Sequence, residues 1–415
     1  MKVLIRQATI ADPRSKLNGQ KMDLLLEGNK IISIAPTIEA SADKTIEQDG
    51  LMAAPGFTDI FAHFCDPGLE FKETLETGAA AAKAGGYTRV MVMPNTKPEL
   101  YSKSQVEYIV QKSKYLPVSV LPIGAISRHC EGKELAEMHD MRASGAVAFS
   151  DGLYPVQNSQ VFLKALQYVK AMDATVIQIP DEEHLSKIGL MHEGIISTKL
   201  GLPGKPMLAE TLMLSRDIEL LRYTQSKLHI TGISTAASVE LIRRAKNDGL
   251  RITASVTPYH LWFTDEDLSD YDTNLKVNPP LRTAADKSAL ISALLDGTID
   301  CVASHHLPHE WDSKVCEFEY AKYGMSGIET CVAATLTAAD TLTTDQITQI
   351  FAIKPAEIFN LPLPIIEEGA AVNLTLLARV SGRLVSKKSL FSKGTNNAFS
   401  EKVMKAVIID AFCDQ

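Results

Sequence analysis

The sequence predicts an α/β protein, a (β/α)8 barrel of the TIM type with a small β-sandwich built from both termini. Three observations carry this: eight short apolar β-type runs in the middle of the chain, helical patterns between them, and further β segments at both ends. The first end reads as strands over 3–6, 22–26 and 30–34, broken by Gly, Asn and Pro. The eight runs follow at 57–64, 89–93, 118–126, 146–150, 175–179, 228–233, 251–256 and 300–304. Stretches 73–84, 161–171 and 237–247 have the apolar spacing and length of the intervening helices. Eight such units over roughly 250–300 residues match the arithmetic of a barrel. A doubly wound open sheet would be marked by a GxGxxG turn after the first strand, and the sequence has none there. Near the other end, Gly369 precedes an apolar run from Val372, and another follows at 403–409. The terminal pieces are expected to join, giving a sandwich of 1–54 with 365–415 and a barrel of 55–364.

Hydrophobic residues at 45% and charged residues at 22% exclude a disordered chain, and no apolar run is long enough to span a bilayer. The net charge of −8 argues against a nucleic-acid partner. Cys65, Cys130, Cys301, Cys316, Cys331 and Cys413 form no CxxC pair, which suggests neither a thiolate metal knuckle nor a disulfide framework. The first residues alternate like a strand and lack the apolar core of a signal peptide, so a cytoplasmic location is expected.

In a barrel, the chemistry sits at the C-terminal strand ends. There the first strand delivers Asp59-Ile60-Phe61-Ala62-His63-Phe64-Cys65-Asp66-Pro67-Gly68, and the second Met93-Pro94-Asn95-Thr96. The fourth ends in Ser150-Asp151-Gly152, the fifth in Gln178-Ile179-Pro180-Asp181 and the sixth in Thr231-Gly232-Ile233-Ser234. The eighth ends in Ser304-His305-His306-Leu307-Pro308-His309.

These strings, with Lys72-Glu73-Thr74, Gly85-Gly86-Tyr87-Thr88, Met191-His192-Glu193-Gly194, Asn278-Pro279-Pro280-Leu281-Arg282 and the stretch 324–329, resemble dihydroorotases of the longer, bacterial type, in order along nearly the whole chain. The resemblance implies an amidohydrolase-type barrel, descent from metal-dependent cyclic-amide hydrolases and a place in pyrimidine synthesis. It also exposes departures. The family's first-strand HxH reads Phe61-Ala62-His63, and its carboxylate-gripping arginine is Cys65. Its fifth- and sixth-strand histidines align with Ile179 and Gly232, and its last-strand catalytic aspartate with His305. Phe61, Ile179 and Gly232 offer no side-chain donor to a metal. The resemblance leaves His63 and Asp151 at metal positions and Asn95, Asn278 and His309 on the substrate side.

Each surviving residue has a plain reading beside the functional one. His63 is a metal ligand or a hydrogen-bonded barrel histidine, and Asp151 a metal bridge or an acceptor of turn amides. His63, Asp151 and His305 together could form a two-histidine, one-carboxylate zinc site. His305 and His306 are adjacent on a strand and cannot both face the lumen. Asn95 and Asn278 either offer amide donors to a ligand or fix their own loops. His129, His139, His184 and His192 are expected in loops or exposed helices, and His229 at a hydrophilic turn. Trp262 and Trp311 are expected over the barrel mouth, as a lid or as packing.

Two functions follow. One is a catalytically degenerate dihydroorotase-like protein acting as a non-catalytic partner; inactive relatives of this kind associate with aspartate carbamoyltransferase. The other is an active cyclic amidohydrolase with one zinc on a rebuilt site. The first expects no resident cofactor, the second zinc at one site. A third use, binding a pyrimidine intermediate without turnover, would call on Asn95, Asn278 and His309. A homodimer is expected from the resemblance.

Overall fold

The N-terminal segment alternates apolar and polar residues into β1 (Lys2–Ile10), β2 (Lys21–Glu27), β3 (Lys30–Ala35), β4 (Lys44–Ile46) and β5 (Leu51–Pro55). The computed structural model describes residues 1–386 and 390–413, so the parts of the assigned terminal piece at 387–389 and 414–415 lie outside the described residues. From β5 the chain passes directly into a ring of parallel strands: β6 (Phe57–Ala62), β7 (Tyr87–Val92), β8 (Ser119–Gly124), β9 (Ala148–Phe149) and β10 (Val176–Gln178). A short parallel pair, β11 (Met191–His192) and β12 (Gly204–Lys205), stands off the ring. The ring resumes with β13 (Leu228–Thr231), β14 (Ile252–Val256) and β15 (Cys301–Val302). Two long strands, β16 (Leu374–Leu384) and β17 (Val403–Phe412), return to the first sheet, whose order is β17-β16-β5-β1-β2-β3 with β4 also on β1.

The eight predicted runs are the eight ring strands, with ends moved by no more than two residues. The predicted helices are Leu75–Ala84, Ser159–Lys170 and Ala236–Asn247. Each begins at a polar residue whose side chain accepts a free backbone N–H: Thr74 from Thr77, Asn158 from Gln160, Thr235 from Ser238. The joint of the terminal pieces is also as expected, because β16 runs antiparallel to β5 from Leu374 opposite Pro55 to Ala378 opposite Leu51.

The ring closes between β6 and the chain just after β15. Ala62 pairs with His306, and the His63 N–H donates to the His306 carbonyl at 2.8 Å. Beside this seam the buried Asp59 carboxylate accepts the Ser304 N–H at 2.8 Å and the Ser304 hydroxyl. The buried His306 ring lies 3.4 Å from Glu73, too poorly aligned for a hydrogen bond but close enough for an ion pair. Inside the ring, Phe61, Met91, Met93, Ile123, Ile177 and Ile179 form an apolar filling. Among the described residues no helix is long and apolar enough to cross a membrane.

Candidate functional site at the barrel mouth

The C-terminal strand ends surround a cavity of about 540 Å³. Its inner wall is lined by Phe61, His63, Met93, Ile179, Tyr259 and His305, and its outer part includes Lys72, Lys97, Glu99, Lys322 and Tyr323. Every departure named from the sequence is at this cavity except Gly232, which lies directly behind His305.

His63 is fully committed. Its Nδ1 accepts the Cys65 N–H at 2.8 Å, so the proton is on Nε2, which donates to the Asn95 carbonyl at 3.0 Å. Neither nitrogen keeps a lone pair for a metal. Burial lowers the ring to about 4, which keeps it neutral. Cys65 is buried and sits at φ +60°, and burial pushes its thiol up, away from the nucleophilic thiolate.

Asp151 adopts the plain reading. One oxygen accepts the Ile126 and Ser127 N–H groups, both at 2.9 Å, and the other accepts the Ser127 hydroxyl. Burial raises the carboxyl to about 6 against the pull of these bonds. Asn95 ties two loops together: its amide donates to the Asp151 carbonyl at 3.0 Å and its oxygen accepts the Leu153 N–H at 2.9 Å. The expectation that it fixes its own loop is corrected, since both partners belong to the loop after β9. Gly152, between them, has φ +62°, and a Cβ there would stand 1.8 Å from the Asn95 oxygen.

His305 points into the lumen at φ +45°, its ring 4.8 Å from that of Phe61. Its neighbour His306 faces the seam, as strand alternation requires. The His305 Nε2 is 2.8 Å from the Thr231 hydroxyl, which contacts the Ser255 hydroxyl at 2.8 Å, which in turn reaches His229 Nε2 at 3.0 Å. His229 is therefore no turn residue: it lies buried in β13, and its Nδ1 meets Thr253 at 2.9 Å. The signal was present in the sequence, because His229 and Thr231 alternate with Leu228 and Ile230. Burial lowers His229 and His305 to about 3.

His309 donates from Nε2 to the Tyr323 carbonyl at 2.8 Å and receives Lys72 Nζ at Nδ1, 3.3 Å away. Its backbone N–H donates to the side chain of Asn396, whose amide also bonds the Leu307 and Gly324 carbonyls, so the C-terminal segment latches this loop. Asn278 accepts Lys205 Nζ at 2.6 Å, and Lys205 pairs with the buried Asp181, also at 2.6 Å. From the sequence Lys72 stood only within a matching string and Lys205 was not singled out, since each acts on a partner far away in the chain. His192 is buried against Arg282 at 3.1 Å rather than exposed, whereas His129, His139 and His184 are at the surface. The tryptophans do not cover the mouth. Trp262 packs edge-on against Phe399, Trp311 is 65% exposed, and the cavity is lined by Tyr154, Tyr259 and Tyr323 instead.

The residues present do not fit a divalent ion. His63 and Asp151 spend their side-chain atoms on backbone groups and the Ser127 hydroxyl, and His305 puts Nε2 on Thr231. Among the described residues no group of three or more His, Cys, Asp or Glu side chains is placed to hold one.

Comparison with known proteins places this geometry. Residues 50–238 match the family model described as dihydro-orotase-like. A dihydroorotase of Syntrophus aciditrophicus (strain SB) is 40% identical over 414 residues, covering 99% of this chain and 97% of that protein. One from Pelotomaculum thermopropionicum is 40% identical over 410 residues, covering 98% and 96%. Among solved structures, the L-hydantoinase of Arthrobacter aurescens superposes with a TM-score of 0.84 at 20% identity, covering 99% of this chain and 94% of its own. The dihydropyrimidinase of Brevibacillus agri gives 0.82 at 20% identity, covering 100% and 94%. At such identity these structures speak for the barrel fold alone.

Proposed function

The chain belongs to the dihydroorotase-like family, and from that premise we propose that it is a pyrimidine-pathway protein that no longer performs metal-dependent hydrolysis and serves as a non-catalytic partner. Aspartate carbamoyltransferase is the expected associate and a homodimer the expected state. The observation that carries the reading is the commitment of both His63 nitrogens beside Phe61 and Ile179. Hydrolysis of a cyclic amide needs a polarised carbonyl and a water brought to a pKa of about 7, which family members obtain from metal. Here the two groups that could replace a metal-bound hydroxide are unsuited to it. His305 is held to about 3 and is a poor base, and Asp151 is turned onto backbone amides.

A second reading, an active cyclic amidohydrolase with one zinc on His63, Asp151 and His305, draws support from the 40% identity to dihydroorotases. It requires His63 and Asp151 to leave their present partners. Metal content of protein purified without chelator, with dihydroorotate turnover assayed in both directions on the same sample, separates the two. Metal far below one per chain and no turnover is the expected result, followed by co-sedimentation with aspartate carbamoyltransferase. One zinc per chain with turnover that disappears in His305→Ala would overturn the proposal.

A further inference from the structure

The mouth cavity changes character along its depth. Its inner wall is Phe61, Met93, Leu153, Ile179 and Tyr259. The polar side chains among them offer little: His63 and Asn95 have their bonding atoms committed, and His305 uses Nε2 on Thr231, which leaves its Nδ1. The outer part is cationic. Lys72, Lys97 and Lys322 line it against one carboxylate, Glu99, which is already turned to His129 at 3.2 Å. Among the described residues none of these three lysines makes a direct salt bridge, although the charge of Lys72 helps to hold the Glu310 carboxyl low. Lys72 is held in place by His309, whose Nδ1 takes its Nζ at 3.3 Å while the ring is anchored to the Tyr323 carbonyl.

We propose that this cavity is a metal-free receptor site for a small carboxylate with an aromatic or aliphatic body, bound with its apolar end inward and its carboxylate on Lys72. A ligand that turned amide groups inward would strand them against Phe61 and Ile179, and unmade hydrogen bonds are costly in such a place. An apolar body gains from the same wall. The carboxylate meets an ammonium that has no direct salt-bridge partner and feels Glu310 only through space, in a partly enclosed mouth where charge-assisted bonds count for more than in open water. About 540 Å³ is room for a two-ring body, within the range of roughly 300–1,000 Å³ typical of small-molecule sites. Phe61, Ile179 and Cys65 then have a positive role as the apolar wall of the site. The inference rests on the metal-free reading of the lumen and is independent of the partner role.

Calorimetric titration of the full chain, with metal content measured on the same sample, tests it with three probes: 2-naphthoate, the neutral 2-naphthalenemethanol, and dihydroorotate. Saturable binding of naphthoate to metal-free protein is expected, with the alcohol weaker by about tenfold or more. Dihydroorotate should be weaker than naphthoate. Lys72→Met, at a half-exposed position, should erase the difference between acid and alcohol without weakening the alcohol. Lys322→Met should narrow it. No saturable binding by metal-free protein, dihydroorotate as the tightest probe, or naphthoate binding unchanged in both lysine variants would overturn the inference. Zinc in the untreated protein would instead overturn the metal-free reading on which it rests.

Discussion

The seam that closes the barrel and the lumen beside it draw on the same stretches of chain, 57–65 and 301–309, yet treat their polar groups in opposite ways. At the seam, buried carboxyls are bonded by donors: Asp59 takes both donors of Ser304, and Glu73 faces His306 while accepting the Ser392 hydroxyl and the Lys393 N–H from the C-terminal segment. Burial would raise Glu73, but its contacts with His306, Ser392 and Thr77 hold it below the usual carboxylate range. In the lumen the polar groups are neutral histidines among apolar side chains. The difference shows what the fold requires of each place. Removing a seam group leaves a backbone donor or a charge without a partner in the core, so folding itself dictates its identity. A lumen position has only to be filled at protein density, and a phenylalanine or isoleucine does that as well as a ligand.

The largest expected effect that separates the two places is acid sensitivity. Burial lowers His63 and His309 to about 4, and His229, His305 and His260, which is buried just after β14 against the Pro279 and Pro280 carbonyls, to about 3. In the unfolded chain each titrates near 6.5, so below that pH the unfolded state takes up protons that the folded state refuses, and stability falls as pH drops toward the folded values. By pH 5 each such histidine costs roughly 2 kcal/mol. Asp151 and Asp217 act the other way. Burial raises both to about 6, so their contribution is present in full below the unfolded value near 3.9 and is lost as pH rises through 6. Burial also raises Asp59, Asp265, Asp300 and Glu329 and lowers His192, so the histidine part is read by difference: the urea midpoint should fall less from pH 7 to pH 5 in His229→Gln than in the unsubstituted protein. An equal change in both would mean that the lumen histidines are open to protons and that the contrast with the seam is false.

A smaller but more local effect comes from paired substitutions. Asp59→Ala strands the Ser304 N–H and hydroxyl and should cost about 2–4 kcal/mol in equilibrium unfolding. Phe61→Leu keeps an apolar plug and should cost about 1–2 kcal/mol. Equal losses would remove the distinction between a place that must be bonded and one that must only be filled.

This contrast also explains what was legible in the sequence. The ring strands were, because each is a short apolar run bounded by turn residues, and so were Phe61, Ile179 and Gly232, because they stand at the ends of those runs. The partners of the polar residues were not. Asn95 reaches 151 and 153, His305 reaches Thr231, and Lys72 reaches His309, pairings that local spacing cannot express. The zinc triad was drawn from residue type and strand position alone. The hydrogen bonds that engage His63 and Asp151 run mostly to backbone groups, and those depend on how loops cross in space.

The smallest effect is the most specific, because it reads the lumen as a packed unit. Gly232 has φ +71°, and a Cβ on it would stand 2.6 Å from Cε1 of His305. The histidine on the eighth strand therefore occupies the space a side chain on the sixth would need. Gly232→Ala should lose about 1–3 kcal/mol, part from placing alanine at positive φ and part from the contact. His305→Ala removes the ring, so adding it to Gly232→Ala should recover the contact part but leave the backbone part. A double-mutant cycle is expected to give a coupling of roughly 0.5–2 kcal/mol, with the double variant more stable than the two single losses added together. Full additivity would mean that the ring moves aside without cost, and that His305 is a mobile group free to serve chemistry rather than a packed plug.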